Sequence, residues 1–164
     1  MINVEVVNDQ RIVQSLQRAA AKLTHTGPLM HQVGVRLEAN IRQRFDTKTD
    51  PAGRRWADIK DITRVIYRAI HGKELGGSLM ERSGHLRNSI ESHVLGESAV
   101  EIGPSAPYAA YHEYGTKRMV RRGLVFGDVS GQGLNAQVSQ QLSASDTQDV
   151  LDVVRDYVQR TMQT

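Results

Sequence analysis

The sequence predicts an α+β fold: a small antiparallel β-sheet packed by two long N-terminal helices and a C-terminal helix, with long flexible loops. A β-branched segment near the start alternates apolar and polar residues, and two similar short segments near the middle are joined by a tight turn. Toward both ends, apolar residues recur every three or four positions, as in amphipathic helices. The chain has 164 residues, and that length suits one hydrophobic core. We therefore expect a single domain over residues 1–164.

The N-terminal elements are a strand and two helices. Residues 2–7 (INVEVV) have the period of a strand, and Asp9 is placed to cap the helix that follows. Gly27 and Pro28 end this first helix, and a longer second helix extends to about Phe45. The apolar stripe of the first helix is Ile12, Leu16, Ala19 and Leu23. The second has the stripe Leu29, Val33, Leu37 and Ile41, with Arg36, Arg42 and Arg44 on its polar side.

The middle of the chain combines a loop with a hairpin. Residues 46–82 are rich in turn-forming and charged residues around ITRVIYRAI, which suits either a short helix or a strand. We expect an extended, partly mobile loop there. SGHLRNSI predicts a helix of one or two turns, and SHVLG and AVEIG predict a hairpin that turns at residues 96–98. Pro104 and Pro107 end its second strand.

The C-terminal part contains two predicted helices and a loop. YAAYHEYGT predicts a short helix that ends at Gly115, with Tyr108, Tyr111 and Tyr114 on one side. Residues 119–141 are polar and Gly-rich, which is typical of a long loop. Ser145 and Gln148 form a capping-box pair at the start of the last helix. Its core stripe is Val150, Val154, Tyr157 and Val158, and its other side carries Asp149, Asp152 and Asp156.

The composition excludes several classes of protein. The chain has no cysteine, so disulfides, thiol nucleophiles and cysteine-ligated metals are absent. The six histidines do not form a zinc-protease pattern, and no serine elbow or phosphate-binding loop is present. The N-terminus lacks a signal-peptide pattern, and no apolar run reaches membrane-spanning length. We expect no enzymatic activity, cofactor, metal site, small-molecule ligand or membrane association.

Basic clusters are the strongest candidates for contacts with partners, in a chain of net charge +3. They are Arg54 and Arg55 beside Trp56, Arg64 with Arg68, and Lys117 and Arg118 with Arg121 and Arg122. Such clusters could bind nucleic-acid phosphates, or acidic faces on neighbouring copies such as that of the C-terminal helix. Aromatic residues are only 5% of the chain, which favours subunit pairing over nucleic acid. We expect Trp56 and the three tyrosines to serve the core or subunit contacts.

Several motifs together resemble one family. GRRWADI resembles the element G-x-x-W-x-x-L, ERSGHLRNSI resembles TG-x-L-x-x-SI, and VEIGPSAPYAAYHEYGT resembles v-x-iG … YA-x-x-hE-x-GT. These elements occur in phage virion morphogenesis proteins, the tail completion proteins of Mu-like and P2-like tailed phages. The ending LSASDTQDVLDVVRDYVQ is similar to the family's closing helix. Residues 119–141 form a longer, proline-free insertion than is usual in the family.

The resemblance implies a non-catalytic subunit of the virion tail or neck, assembled in the bacterial host cytoplasm. It implies a homo-oligomeric ring, with six copies as the expected number. Other neck and tail proteins would be its partners, such as the connector, the tail tube or the terminator. The alternative is a DNA-binding neck or packaging-associated protein whose arginines contact the genome.

A ring subunit needs two unlike faces, which the aspartate-bearing helix and the arginine-bearing loops would supply. Residues 46–77 and 119–141 are the loops expected to order on docking. Gly84, Gly103 and Gly115 are expected to be structural turns. Gly103 ends the hairpin and Gly115 ends the aromatic segment, where we expect a positive φ.

Overall fold

The computed structural model describes residues 14, 21, 24–77, 79–126, 129, 130, 137, 138 and 142–163. Its helices are α1 (Gly27–Thr47), α2 (Asp61–His71), α3 (His85–Asn88), α4 (Ala109–Tyr114) and α5 (Ala144–Met162). Its strands are β1 (Ile90–Leu95), β2 (Ala99–Pro104), β3 (Val129–Ser130) and β4 (Gln137–Val138). The predicted α+β class is confirmed. The strand expected at residues 2–7 and nearly all of the first expected helix lie outside the described residues.

Helix α1 is the central element. Pro28 lies in its first turn, where the missing N–H costs nothing, and Lys48 ends it in a left-handed conformation. The predicted apolar stripe is confirmed, since all of its members are buried together with Phe45. The placement of Arg44 on the polar side is wrong, because Arg44 is also buried.

Strands β1 and β2 form the predicted antiparallel hairpin, with Ile90 opposite Pro104 and Leu95 opposite Ala99. Helix α1 packs on this hairpin at Gly34, where a Cβ atom would lie 2.6 Å from Ser92 Oγ. The glycine therefore lets the helix approach the sheet closely. Among the described residues, no third strand pairs with β1 or β2.

Two apolar clusters share α1. The first gathers the C-terminal half of α1 with Trp56, the start of the hairpin, α4 and the segment after it. Its buried members are Ile41, Phe45, Trp56, Leu86, Ile90, Ala106, Ala109, Leu124 and Val125. The second joins the N-terminal half of α1 to α5 through the partly buried Val150, Val153, Val154 and Tyr157. Val153, rather than the expected Val158, thus completes the packing stripe of α5.

The cap of helix α5 lies two residues earlier than the sequence predicts. The cap is Ser143, whose Oγ accepts the N–H of Asp146 at 3.1 Å and donates to the Asp146 carboxylate at 2.8 Å. The pair Ser145 and Gln148 is therefore wrong as the capping box. Asp146 is buried against α1 and fixes the position of α5 relative to α1.

Two of the predicted loops contain regular structure. Residues 46–82 include α2, which resolves the choice between helix and strand for ITRVIYRAI in favour of the helix. Residues 119–141 include the two-residue strands β3 and β4, paired antiparallel. None of the helices in the described ranges is long and apolar enough to cross a bilayer.

Two of the three glycines predicted to form turns have positive φ angles. Gly84 and Gly115 have φ angles of 70° and 74°, in the region that favours glycine. Gly103 is paired with Glu91 inside β2 and is not among the described residues with positive φ, so that expectation is wrong.

A buried ion pair connects the two ends of this fold. The Arg44 guanidinium donates to the Asp146 carboxylate and to the Leu124 carbonyl oxygen. Asp146 also accepts from Asn40 Nδ2 at 3.0 Å. The side chains of Arg44 and Asp146 are 9% and 2% exposed, so either one alone would be a buried, unpaired charge.

We expect Arg44→Met to lower the free energy of unfolding by about 3 kcal/mol, because it strands the Asp146 carboxylate in the core. Urea denaturation measures this loss. The control is Arg36→Met, since the pair of Arg36 with Asp149 is partly solvent-exposed and such pairs contribute about 0.5 kcal/mol. Equal losses in the two variants would contradict the assignment.

Candidate interaction surface

The segment at residues 121–126, here called the anchored loop, is held by one carboxylate. Glu113 on α4 is 6% exposed. Its oxygens accept the backbone N–H groups of Leu124, Val125 and Phe126 at 2.7, 3.0 and 3.1 Å. Three consecutive amides converging on one buried carboxylate fix the path of the loop.

Arg121 and Arg122 bind within the chain. Arg121 donates to the Glu113 carboxylate at 3.1 Å and to the Phe126 carbonyl oxygen at 2.6 Å. Arg122 is buried and donates to the carbonyl oxygens of Ala57 and Asp58 at 2.8 and 3.1 Å. Burial lowers the pKa of the Arg122 guanidinium, and the Asp58 carboxylate opposes this shift. Both side chains therefore hold the anchored loop instead of extending from it.

Lys117 and Arg118 remain exposed. The predicted basic cluster at 117–122 is thus divided by the structure, with one half on the surface and the other half inside. Thr116 and Met119 exchange backbone hydrogen bonds, so Lys117 and Arg118 lie at the tip of a tight turn that precedes Arg121 and Arg122.

Trp56 lies in the core. The sequence predicted either this location or a subunit contact. Its ring meets Phe45 edge-on with centroids 5.4 Å apart, and its Nε1 donates to the Gly123 carbonyl oxygen at 3.1 Å. The indole therefore packs on α1 and holds the anchored loop from the opposite end to Glu113.

The remaining arginines of the central clusters lie on the surface. Arg54 pairs with Asp50 at 2.8 Å, Arg64 pairs with Asp58 at 3.1 Å, and Arg68 pairs with Glu74. Arg55 is exposed and lies opposite Thr49 in an isolated bridge. In Asp58, a hydrogen bond from the Ile59 N–H lowers the pKa of the carboxyl, and Arg64 adds to the shift. These exposed pairs are weak and can exchange partners.

The aspartates of α5 differ in their surroundings. Asp149 faces α1, where Arg36 Nη2 and Asn40 Nδ2 donate to it at 2.9 and 2.7 Å. Asp152 pairs with Arg155 on its own helix at 3.0 Å, and Asp156 is exposed. The acidic outer face of α5 thus consists of Asp152 and Asp156, without Asp149.

Helix α2 exposes an apolar face. Among its 11 residues none is buried, and Ile62, Val65, Ile66 and Ile70 are 60%, 58%, 50% and 70% exposed. Their spacing of three and four residues places them on one side of the helix. A contiguous apolar face of this kind is typical of a surface that another molecule covers.

The tyrosines are more exposed than a core role requires. Tyr108 and Tyr111 are 39% and 49% exposed, and Tyr114 is partly buried. A role in the core is therefore wrong for Tyr108 and Tyr111, because helix α4 buries Ala109 and Glu113 instead. A role of these tyrosines in subunit contacts stays a prediction.

His112 lines a cleft of about 390 Å³ beside Tyr108. Its Nδ1 is buried, and no described residue forms a hydrogen bond with it. Burial lowers the pKa of His112, and the nearby Arg122 guanidinium acts in the same direction. The described residues contain no cluster of three or more histidine, aspartate or glutamate side chains that could hold a metal ion.

Sequence reasoning overlooked Glu113 and the apolar face of α2. Glu113 is visible in the sequence only as part of the motif YHEYGT, and no local pattern shows that its partners are the amides of residues 124–126. Ile62, Val65, Ile66 and Ile70 have the helical period, and that period alone cannot say whether the face is covered.

We expect Glu113→Gln to lower the free energy of unfolding by about 3 kcal/mol, since the new amide group would point a donor at backbone N–H groups. Hydrogen exchange should show faster exchange of the amides of residues 124–126. Glu101→Gln is the control, because Glu101 lies exposed on β2. Unchanged protection in the Glu113 variant would contradict the role of this carboxylate.

The lowered pKa of His112 predicts a pH dependence of stability. The unfolded chain takes up a proton on this ring more readily than the folded chain, so the free energy of unfolding falls as the pH drops below about 6.5. Urea denaturation between about pH 7.5 and about pH 5 should show a smaller fall for His112→Gln than for the unaltered chain. Identical slopes would exclude His112 as the group responsible.

Comparisons with known proteins agree with the resemblance seen in the motifs. The phage virion morphogenesis family matches residues 7–159. Mu-like prophage FluMu G protein 2 of Haemophilus influenzae is 27% identical over 163 residues, covering 97% of each chain. The solved structures include no significant match. The family match covers most of the chain, including the anchored loop and most of α5, and the chain therefore belongs to the phage virion morphogenesis family.

Proposed function

We propose that this protein is a structural, non-catalytic subunit for tail completion or head–tail joining, and that it acts in the virion neck or tail as a homo-oligomeric ring. The observation that supports this most is the apolar face of α2 on a chain that belongs to a virion morphogenesis family. Four exposed aliphatic side chains on one helix face form an apolar patch, and such patches are typical of surfaces that bind a partner.

The rest of the surface suits assembly with neighbours. The outer face of α5 carries the exposed Asp156 and Asp152, whose side chain is 43% exposed, and a basic surface lies at α2 and at Lys117 and Arg118. Unlike faces of opposite charge favour head-to-tail association, which closes into a ring when the rotation between copies is right. Tail symmetry makes six the expected number of copies. The connector, the tail tube and the terminator are the proposed partners at its two ends.

The DNA-binding alternative has less support. This alternative requires arginine-rich loops that can reach DNA. Arg121 and Arg122 instead donate hydrogen bonds to Glu113, Ala57 and Asp58 of the same chain. Lys117 and Arg118 remain for a phosphate contact. Duplex binding that weakens steeply with salt and disappears in a variant with alanine at both positions would favour this alternative.

Deletion of the gene from a phage or prophage that carries it tests the proposed function. We expect electron micrographs of lysates to show heads and tails that do not join, because the ring that completes the tail is missing. Plasmid-borne unaltered protein should restore joined particles, and so should the exposed variant Glu101→Gln. Normal infectious particles without the protein would contradict the proposal.

A further inference from the structure

We propose that the apolar face of α2 in one copy packs on the outer face of α5 in the next copy. The inference rests on the proposed function and names the contact by which its ring would close. Its occupant is therefore a second copy of this chain, seated through two different helices.

Helix α2 is fixed in the fold by its polar side. Tyr67 accepts a hydrogen bond from Arg82 Nη2 at 2.6 Å, and the same guanidinium lies 4.6 Å from the centre of the tyrosine ring. Arg64 pairs with Asp58 just before the helix. With these contacts on one side, the four aliphatic side chains are left on the other. The helix presents its apolar face in a defined orientation before any partner binds.

The outer face of α5 offers an apolar strip of matching length. Leu151 and Met162 are 51% and 65% exposed, and Val158 between them is partly buried. Their spacing of seven and four residues places the three on one line along the helix. That line is about 16 Å long, and the apolar face of α2 from Ile62 to Ile70 extends about 12 Å. The strip on α5 can therefore accept the whole face of α2.

The charges beside the two apolar strips are complementary. Around α2, the segment 60–73 carries four basic residues, Lys60, Arg64, Arg68 and Lys73, against a single acidic residue, Asp61. Beside the strip on α5 lie Asp152, whose side chain is 43% exposed, and the exposed Asp156, together with Arg155, which pairs with Asp152. The present pairs of Arg64 and Arg68 are exposed, so these arginines can turn to aspartates of a neighbour at small cost. Opposite charge at the rim sets the orientation of the two helices.

This contact is heterologous, because each copy supplies α2 to one neighbour and α5 to the other. Repetition of such a contact produces a closed ring when the geometry permits. Pairing of α2 with α2 would instead stop at a dimer. A contact of α2 with another virion protein would leave α5 unused.

The absence of cysteine permits a direct test by disulfide formation. Ile66→Cys and Leu151→Cys are prepared as separate proteins, then mixed and oxidised. We expect a cross-linked pair containing one chain of each variant, and a ladder of multimers when one chain carries both changes. A mixture of Leu151→Cys with Glu101→Cys is the matched control and should remain uncross-linked. The same oxidation is carried out on phage particles in which the variants replace the natural protein.

Three results would overturn the inference. These are efficient cross-linking of Ile66→Cys to itself, cross-linking of Ile66→Cys to a different virion protein, and no cross-link in either solution or particles. Mixed pairs that form both in solution and in particles would support it.

A charge-bearing variant separates this inference from the proposed function. Ile66→Asp should keep the circular dichroism of the fold, since α2 has no buried residue, and should lose ring formation and complementation of the deletion. If Ile66→Asp restores joined particles as well as the unaltered protein does, the α2–α5 contact is wrong and the proposed function stands. If the unaltered gene proves dispensable for joined particles, the proposed function itself fails.

Discussion

The structure depends on one buried carboxylate. Glu113 gathers three successive amides and the Arg121 guanidinium, and so turns residues 121–126 from a flexible segment into a fixed one. Without this acceptor, backbone N–H groups would be buried without partners, which a folded protein rarely tolerates. The glutamate of the motif YHEYGT therefore has a structural role in this fold.

Distant parts of the chain converge on the anchored loop. Arg44 from α1 donates to the Leu124 carbonyl oxygen, Trp56 donates to that of Gly123, and Arg122 reaches back to the segment before α2. Through Arg44, the loop is also connected to Asp146 at the start of α5. The same set of hydrogen bonds therefore fixes the segment before α2 and the first turn of α5. Two surfaces proposed to meet between copies are held at defined positions by one set of internal bonds.

The sequence predicts those parts of the fold that are determined by residues close together in the chain. The stripe of α1, the hairpin with its turn at 96–98 and the end of α4 at Gly115 all follow from periodicity or turn chemistry within a few residues. Arg44 was misplaced because its partner Asp146 is 102 residues away, and a charged residue without a visible partner is expected on the surface. The cap of α5 is a different case, because two overlapping pairs, Ser143 with Asp146 and Ser145 with Gln148, both have the capping spacing, and the structure uses the first.

Predicting the candidate surface was harder, because exposure is a property of the whole fold. Arg121 and Arg122 look like Arg118 in the sequence, and only the carbonyl oxygens of residues 57 and 58 and the Glu113 carboxylate distinguish them. Conversely, the isoleucines of α2 look like core residues, and they become a surface because nothing in the described chain covers them. The most direct measurement of the central claim, that this chain works by assembling with its own copies, is the mass of the purified protein by light scattering across a wide range of concentration. The account predicts a transition from the single chain to one closed multiple of it; a mass that stays at one chain throughout, or grows without limit, would contradict it.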